Sequence, residues 1–456
     1  MSIAIRTVDA KQMDQAIADS VLAFDQYKKT SRLARSMLLK EIADGISTNR
    51  AEFVSLMAKE AGKPTFFAEG EVSRAIVTFT YASEEAKRFG GEILPMDIEA
   101  SARSFDVAQV LWVPRGPVYG ITPFNFPLNL VAHKVAPALA AGVSILIKAA
   151  PQTPTPAALL ESIFKTAAES VSKKLSEEIP AHTFQAVMCA NDVAEIGVID
   201  KRMTVLSFTG SHKVGFVLQK LAIGKKVALE LGGNAAAVIF ADADLKRAAA
   251  RSVFGAFGYA GQSCISVQRV LIQKSVYTEV SKLILEETVK VKTGAPNEPG
   301  VWVSNVIDKT AADRIMSWID EAVKGGAKIL VGGTRTGNTI EPTILENVSG
   351  EMNLCKEEVF GPVKILVPFN DVEDAIQKVN NSKFGLQAGL FTDSKKIIDR
   401  CVADFEVGGV IINEVPTYRA DHMPYGGVKE SGLGREGLKY AMEEFSERKV
   451  VVSFRG

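Results

Sequence analysis

The stretch Pro117–Lys148 reads PVYGITPFNFPLNLVAHKVAPALAAGVSILIK. It holds a short apolar run (PVYGIT), a break marked by Pro123 and Pro127, a helical pattern over Pro127–Ala140, and a second apolar run (SILIK). A short strand, a helix and another short strand in that order form the unit of a parallel sheet, whose strands are apolar on both faces. The alternation continues through Thr155–Ser170, TFQAVM, TVLSF, Ser211–Ala222 and VALEL. This predicts an α/β fold with a doubly wound parallel sheet. A second series begins after Gly232: AAAVIF, Leu245–Tyr259, VQRVLI, Val276–Val291, VKILVPF, Val372–Asn380, AGLF, Ser394–Cys401 and GVIIN. A second doubly wound α/β domain is expected there.

Upstream, Lys11–Phe89 is helical almost throughout, with apolar residues every three or four positions in LARSMLLKEIADGI and IVTFTYASEEAKRF. Between Gly90 and Val113 that period gives way to SFDVAQVLWV, read as an extended hairpin outside the main core. The tail Lys449–Phe454, KVVVSF, is expected to join a sheet, in this chain or a partner, because both it and the stretch Ser104–Val113 leave edges that need pairing. SVSKKLSEEIPAH reads as a solvated face, and PYGGVKESGLGREG is too glycine-dense for anything but a loop.

The composition narrows the function. The chain has 456 residues, 47% hydrophobic and 23% charged, with 53 basic residues balancing 53 acidic ones. That is ordinary globular composition with no basic field for nucleic acid, so a small-molecule partner is expected. Cys189, Cys264, Cys355 and Cys401 are far apart and include no CxxC pair, which argues against a disulfide framework and against a metal site and favours the reducing cytoplasm. The opening residues contain no signal-peptide core, and the longest apolar run, Val135–Ile147, is too short to span a bilayer.

Several residues are of types that carry chemistry. Cys264, in GYAGQSCISVQR, follows Gly258 and Gly261 at a helix-to-strand turn, where either an exposed thiol or an inert buried one fits. Glu230 ends an apolar strand in LELGG. It is either bonded to loop amides or held in a cavity with a raised pKa, where it would suit a general base. Asn125, between a strand and the helix opened near Pro127, is placed to donate to a developing oxyanion or to cap that helix. His133 reads as a core or rim histidine. In FTGSHKVG, Gly210 and Ser211 sit at a strand-to-helix junction with Gly215 one turn in, so the helix amides can meet a pyrophosphate. Lys148 ends SILIK, and Glu358 and Phe360 lie in EEVFGPV; a ribose cation, a ribose-binding carboxylate and a ring cover are their functional readings, a solvated lysine and an ordinary loop their bland ones.

Together the strings PFNFP, FTGS, LELGG, GQSC, EEVFGP and PYGGVKESGLGREG, in this order and spacing, resemble the aldehyde dehydrogenase superfamily from near Lys11 to the end. The loop NEVPTYRADHMPYGG is similar to that of the lactaldehyde, succinate-semialdehyde and phosphonoacetaldehyde branch. The resemblance implies Cys264 as nucleophile, Asn125 with the Cys264 amide as oxyanion hole, and Glu230 as the base for deacylation. It implies dinucleotide contacts from Thr122, Pro123, Phe124, Lys148, Gly210, Ser211, Gly215, Leu231, Gly232, Glu358 and Phe360. A substrate tunnel would be lined by Phe126, Asn129, Leu130, His133, Ser263 and Ile265. Arg419 would either fork onto a substrate anion or pair with Asp421 or Glu414.

The organisation so implied is a Rossmann-like cofactor domain (1–90 and 113–230, with 425–445 packing back on it), a catalytic domain (231–424), and oligomerisation strands (91–112 and 446–456) in a homodimer or homotetramer. The reaction implied is oxidation of a small polar or anionic aldehyde with NAD or NADP. Pro151 stands where NAD-preferring members often carry a glutamate, so NADP should be usable. Release of the acyl group to coenzyme A or phosphate, or a catalytically idle protein of the same fold, are the alternatives. Glu230 speaks against the first, and the trio Cys264, Glu230 and Asn125 against the second.

Overall fold

The computed structural model describes residues 4–102 and 105–454. The chain opens with a two-residue strand β1 (Arg6–Thr7), then helices α1 (Ala10–Tyr27), α2 (Arg32–Thr48), α3 (Arg50–Ala61) and α4 (Thr65–Arg88). Their starts follow from local chemistry. Asp9 and Gln12 form a reciprocal capping box on α1, and the Ser31 hydroxyl accepts the Ala34 N–H on α2. Next come β2 (Glu92–Pro95) and β3 (Phe105–Pro114). The first α/β series follows as β4 (Val118–Ile121), α5 (Asn129–Ala141), β5 (Ile145–Lys148), α6 (Thr155–Leu175), β6 (Phe184–Met188), α7 (Asn191–Ile199), β7 (Val205–Thr209), α8 (His212–Leu221) and β8 (Lys226–Glu230).

The second series runs β9 (Ala235–Ile239), α9 (Leu245–Phe257), β10 (Val267–Gln273), α10 (Tyr277–Thr288), α11 (Lys309–Lys324), β11 (Lys328–Val331), β12 (Thr343–Glu346), β13 (Val363–Phe369), α12 (Val372–Asn380), β14 (Gln387–Phe391), α13 (Lys395–Asp404) and β15 (Gly409–Ile412). The chain closes with β16 (Gly432–Leu433), α14 (Leu438–Glu444) and β17 (Ser446–Phe454).

Among the described residues, two seven-stranded sheets form. One has the order β1-β6-β5-β4-β7-β8-β16 and the other β11-β12-β13-β10-β9-β14-β15. All pairings are parallel except β16 on β8 and β11 on β12. Each sheet is covered on both faces. On the first, Leu38, Phe79, Val131, Leu139 and Phe164 from α2, α4, α5 and α6 pack on one side, and Met13, Ile17, Ala194 and Val198 from α1 and α7 on the other. On the second, α9 and α10 cover one side, and Ala375, Val379 and Cys401 of α12 and α13 the other. Every residue of α5 is buried, which explains why Val135–Ile147 is continuously apolar in a chain with no membrane-length helix among the described residues.

Three features depart from the sequence reading. Residues Arg6–Thr7 extend the first sheet beside β6, although two polar residues carry no strand signal. The glycine-rich loop contributes β16, which pairs Gly432 with Glu230. The tail β17 pairs within the same chain, along β3 from Ser446↔Pro114 onward, and β2 takes the other side of β3. The stretch expected to present a free edge is therefore the middle strand of a three-stranded sheet. Helix α14 forces this outcome, since its buried Leu438 and Met442 dock on the core and deliver the chain directly to β3. Ser104, at one end of that expected edge, and residues 455–456 of the expected oligomerisation tail lie outside the described residues.

Candidate active site

Residues at the carboxyl ends of β4, β7 and β8 and ahead of the amino ends of β10 and β13 meet around one cavity. In the first sheet β4 separates β5 from β7, so the crevice beyond β4 and β7 is the topological switch point where ligands of such sheets bind. A cavity of about 540 Å³ occupies it, lined by Pro123, Phe124, Asn125, Leu130, Thr209–Lys213, Glu230–Gly232, Cys264, Arg314, Trp318, Asn353, Glu357, Glu358 and Phe360.

Cys264 reaches this cavity through a strained turn. After α9 the backbone is left-handed at Tyr259 (φ 52°), Ala260 (φ 53°) and Gly261 (φ 68°), which costs of order 1–3 kcal/mol at each non-glycine and persists only where the surroundings hold it. Here they do: the Tyr259 ring lies 4.4 Å from Lys63 Nζ and edge-on to Phe126. Gly233 runs beneath the turn, where a Cβ would fall 2.2 Å from the Cys264 carbonyl oxygen. The thiol is part-buried, with Sγ 3.1 Å from Tyr425 Oη. Burial pushes it up to about 12, reinforced by Glu358 and Glu230 and opposed by the Tyr425 hydrogen bond and Arg419.

Asn125 does not cap α5. Its Nδ2 donates across the cavity wall to the Gln262 carbonyl at 3.0 Å, which fixes the amide plane and, among the described residues, leaves its second N–H without a partner. The cap of α5 is instead Glu71 of α4, whose Oε1 accepts the Leu128 and Asn129 N–H groups, each at 2.9 Å. Glu71 is ion-paired with Lys63, which donates to the Asn125 carbonyl at 2.8 Å; both side chains are fully buried. The sequence reading passed over Lys63 and Glu71. Their only local signal is a lysine beside Pro64 at a helix start and a glutamate on the apolar face of α4.

Glu230 ends β8 as a buried carboxyl. Its Oε2 has no hydrogen-bond partner among the described residues, and burial, then the charge of Glu436, raises its pKa well above the usual range. Glu358 accepts the Gly233 N–H at 3.0 Å and is pushed by burial to about 7.

Of the residues the resemblance assigns to the dinucleotide, Pro123, Phe124, Gly210, Ser211, Leu231, Gly232, Glu358 and Phe360 line this cavity, and the others do not. Ser211 caps α8 and, with Gly210, lines the cavity; Gly215 lies one turn in, where a Cβ would meet Leu231 at 2.5 Å. Phe124 and Phe360 stand edge to face at 5.8 Å. Lys148 and Thr122 do not line this cavity: the Thr122 N–H donates to the Lys148 carbonyl, and the lysine side chain is buried near Cys189. A helix opening on the cavity, a buried carboxyl suited to ribose hydroxyls, aromatic walls and the cations of Lys213 and Arg314 fit a dinucleotide.

The substrate side departs further. Leu130 lines the cavity, but Asn129 and His133 are almost wholly buried. Phe126 stacks on the Lys63 ammonium at 3.6 Å, Ile265 packs on Leu386 and Tyr425, and the Ser263 carbonyl closes the turn to the Ser266 N–H. The ion-pair partner of Arg419 is neither Asp421 nor Glu414, and its Nε has no hydrogen-bond partner among the described residues. Its Nη2 donates to Glu436 at 3.0 Å and its guanidinium covers the Tyr425 ring. Arg74 and His133 take Asp421, and Arg251 and Arg247 take Glu414. Each carboxylate near Arg419 in sequence is thus occupied by a residue remote in sequence.

The aldehyde dehydrogenase family profile matches residues 2–451, and the chain belongs to this family of NAD(P)-dependent oxidoreductases. It is 40% identical to a 3-sulfolactaldehyde dehydrogenase of Priestia aryabhattai over 99% of this chain and 91% of that protein. Among solved structures it resembles aldehyde dehydrogenase 21 of Physcomitrella patens in complex with the reaction product succinate, with TM-score 0.93, 38% identity, and 98% and 92% of the two chains covered. It also resembles glyceraldehyde-3-phosphate dehydrogenase of Methanocaldococcus jannaschii complexed with NADP, with TM-score 0.93, 34% identity, and 99% and 96% covered.

The Glu358 carboxyl has a testable consequence for stability. Its folded-state pKa of about 7 lies above its ordinary value of 4.5, so its contribution is complete below about pH 4.5 and is lost as pH rises through about 7. Glu358→Gln, which keeps the carbonyl that accepts the Gly233 N–H, should flatten that fall by about 3 kcal/mol. Scanning calorimetry of dinucleotide-free protein across this range measures it. Parallel profiles for wild type and variant would refute the assignment.

Proposed function

We propose that this protein oxidises a small polar or anionic aldehyde to its carboxylate with NAD or NADP, through a covalent adduct on Cys264. The observation that carries the reading is that Cys264, Asn125 and Glu230, delivered by three separate elements, line one cavity. The Cys264 thiolate adds to the aldehyde carbon, and the carbonyl electron pair moves onto oxygen. The second N–H of Asn125 Nδ2 and the Cys264 backbone amide hold that oxyanion, an interaction worth about 3–4 kcal/mol. When bound, NAD or NADP supplies the hydride acceptor. The adduct carbon loses hydride as its carbonyl re-forms, leaving a thioester on Cys264. Glu230 then takes a proton from water, the resulting hydroxide attacks the thioester, and the Cys264 thiolate leaves.

The units 1–90 with 113–230 and 425–445 would hold the dinucleotide, and 231–424 the nucleophile. A reducing cytoplasm suits the four free cysteines. Polarity of the substrate is supported by relatives whose named substrate or product carries a sulfonate, carboxylate or phosphate, and by the concentration of buried charge beside Tyr425. Strands 91–112 and 446–456 would mediate association, since Ile93, Leu94, Val450, Val451 and Val452 are exposed apolar residues on the β2-β3-β17 sheet.

Cys264→Ala should abolish turnover while keeping dinucleotide affinity. Glu230→Gln should give one burst of NAD(P)H and then stall, with a thioester visible by intact-mass spectrometry; a normal steady-state rate in either variant overturns its assignment. In a panel of lactaldehyde, succinate semialdehyde, propanal and decanal with both dinucleotides, kcat/KM should be highest for a polar substrate. NADP should be used, with Pro151→Glu shifting preference toward NAD, because nothing at Pro151 repels a 2′-phosphate. A wild type that prefers decanal ends the polar-substrate reading. Val451→Lys should shift sedimentation toward monomer, and a wild type already monomeric at micromolar concentration ends the association reading.

A further inference from the structure

Behind the Cys264 sulfur lies a buried array that the reaction steps above leave unused. Tyr425, 4% exposed, places Oη 3.1 Å from Sγ. Its ring is fixed from the other side: the Arg419 guanidinium carbon sits 3.8 Å from the ring centroid, and Arg419 Nη2 is held by Glu436 at 3.0 Å. Glu436 also pairs with Tyr425 through the backbone in both directions, at 3.0 and 2.7 Å, and takes Lys134 at 3.3 Å. The main chain of Tyr425 is thus bridged and one face of its ring is covered.

The remaining charged groups that face the sulfur are Glu230 at the end of β8 and Glu358 ahead of β13; both oppose a thiolate when ionised. Asn125 spends one N–H on Gln262, and Lys63 is spent on Glu71 and the Asn125 carbonyl. Burial keeps the Tyr425 phenol protonated, so in its contact with a thiolate it is the donor. A cation on an aromatic face draws electron density from the ring and makes the phenol O–H a stronger donor.

We propose that Tyr425 is a positioning residue: its O–H donates to the Cys264 sulfur and eases formation of the thiolate, with Arg419 on the ring face strengthening that donor. The thiol proton goes to solvent, and no covalent step involves the phenol. The proposal rests on the reading of Cys264 as the nucleophile.

The test is the rate of Cys264 alkylation by iodoacetamide, followed on the Cys264 peptide by mass spectrometry between about pH 7 and about pH 9, on the acidic limb of the thiol's titration, in wild type and Tyr425→Phe. The variant should be alkylated about tenfold more slowly at every pH on that limb, the equivalent of about one pKa unit. Replacing Tyr425 with 3-fluorotyrosine, a more acidic phenol of nearly the same shape, should speed alkylation. Alkylation of Tyr425→Phe as fast as wild type or faster, or both variants changing the rate in the same direction, overturns the proposal, because a packing role would not move the two in opposite directions. Alkylation requires neither aldehyde nor dinucleotide, so an active Cys264→Ala enzyme would defeat the reading of the nucleophile while leaving this result separately legible.

Discussion

The Lys63–Glu71 ion pair joins the parts of this molecule that must stay in register. It is fully buried, and a buried pair is weak evidence for stability, since desolvation offsets most of the attraction. Its importance is geometric. Glu71 caps the helix that follows Asn125, Lys63 holds the peptide of Asn125 itself, and the same ammonium lies against Phe126 and Tyr259. One cation thus couples the N-terminal helices, the switch point of the first sheet and the left-handed turn ahead of Cys264. Two of the three groups assigned to the chemistry owe their placement to a contact that neither contributes through its own side chain.

Charge in this protein is neutral in sum and concentrated in place. Around the cavity the carboxyls of Glu230 and Glu358 are pushed up by burial, while Glu436, although burial opposes it, is held low by Lys134, Arg419 and His133. The contrast between Glu230 and Glu436 separates two carboxylates by environment: one surrounded by cations stays ionised, and the other, near that ionised neighbour and with an oxygen unpaired, holds its proton more tightly. A base that must accept a proton from water late in the reaction belongs in the second environment.

What the sequence made legible follows from the range over which each signal acts. SILIK and TVLSF could be read as strands because parallel strands buried on both faces are apolar without alternation. Asn125, Glu230 and Cys264 stood out because each is a polar or reactive group where an apolar run ends beside glycine or proline. Arg419 and Lys63 were not legible. Their partners Glu436 and Asn125 lie 17 and 62 residues away, and arginine or lysine in a loop has no local mark that distinguishes an occupied charge from a free one. The tail strand was recognised, but its pairing was not, because an apolar run specifies that an edge will be covered and not by what.

Stability alone does not account for the buried array beside Cys264. The side chains of Arg419, Glu436, Lys134, His133 and Asp421 are all nearly inaccessible, and well-packed apolar residues of similar volume would serve the core at least as well. What apolar side chains cannot do is fix orientation. Glu436 binds the Tyr425 backbone and the Arg419 head together, and Asp421 ties His133 to Arg74 of α4, so the loop from Arg419 to Glu436 has a single register against α4 and α5. In that register the Tyr425 hydroxyl meets the sulfur and β16 closes over Glu230. The glycine density of the same loop follows from this: at Gly426 a side chain would press on the Glu230 carboxyl at 3.0 Å, and at Gly437 on the Met423 carbonyl at 2.3 Å. The loop is therefore held by charge where it must be oriented and stripped to glycine where it must come close.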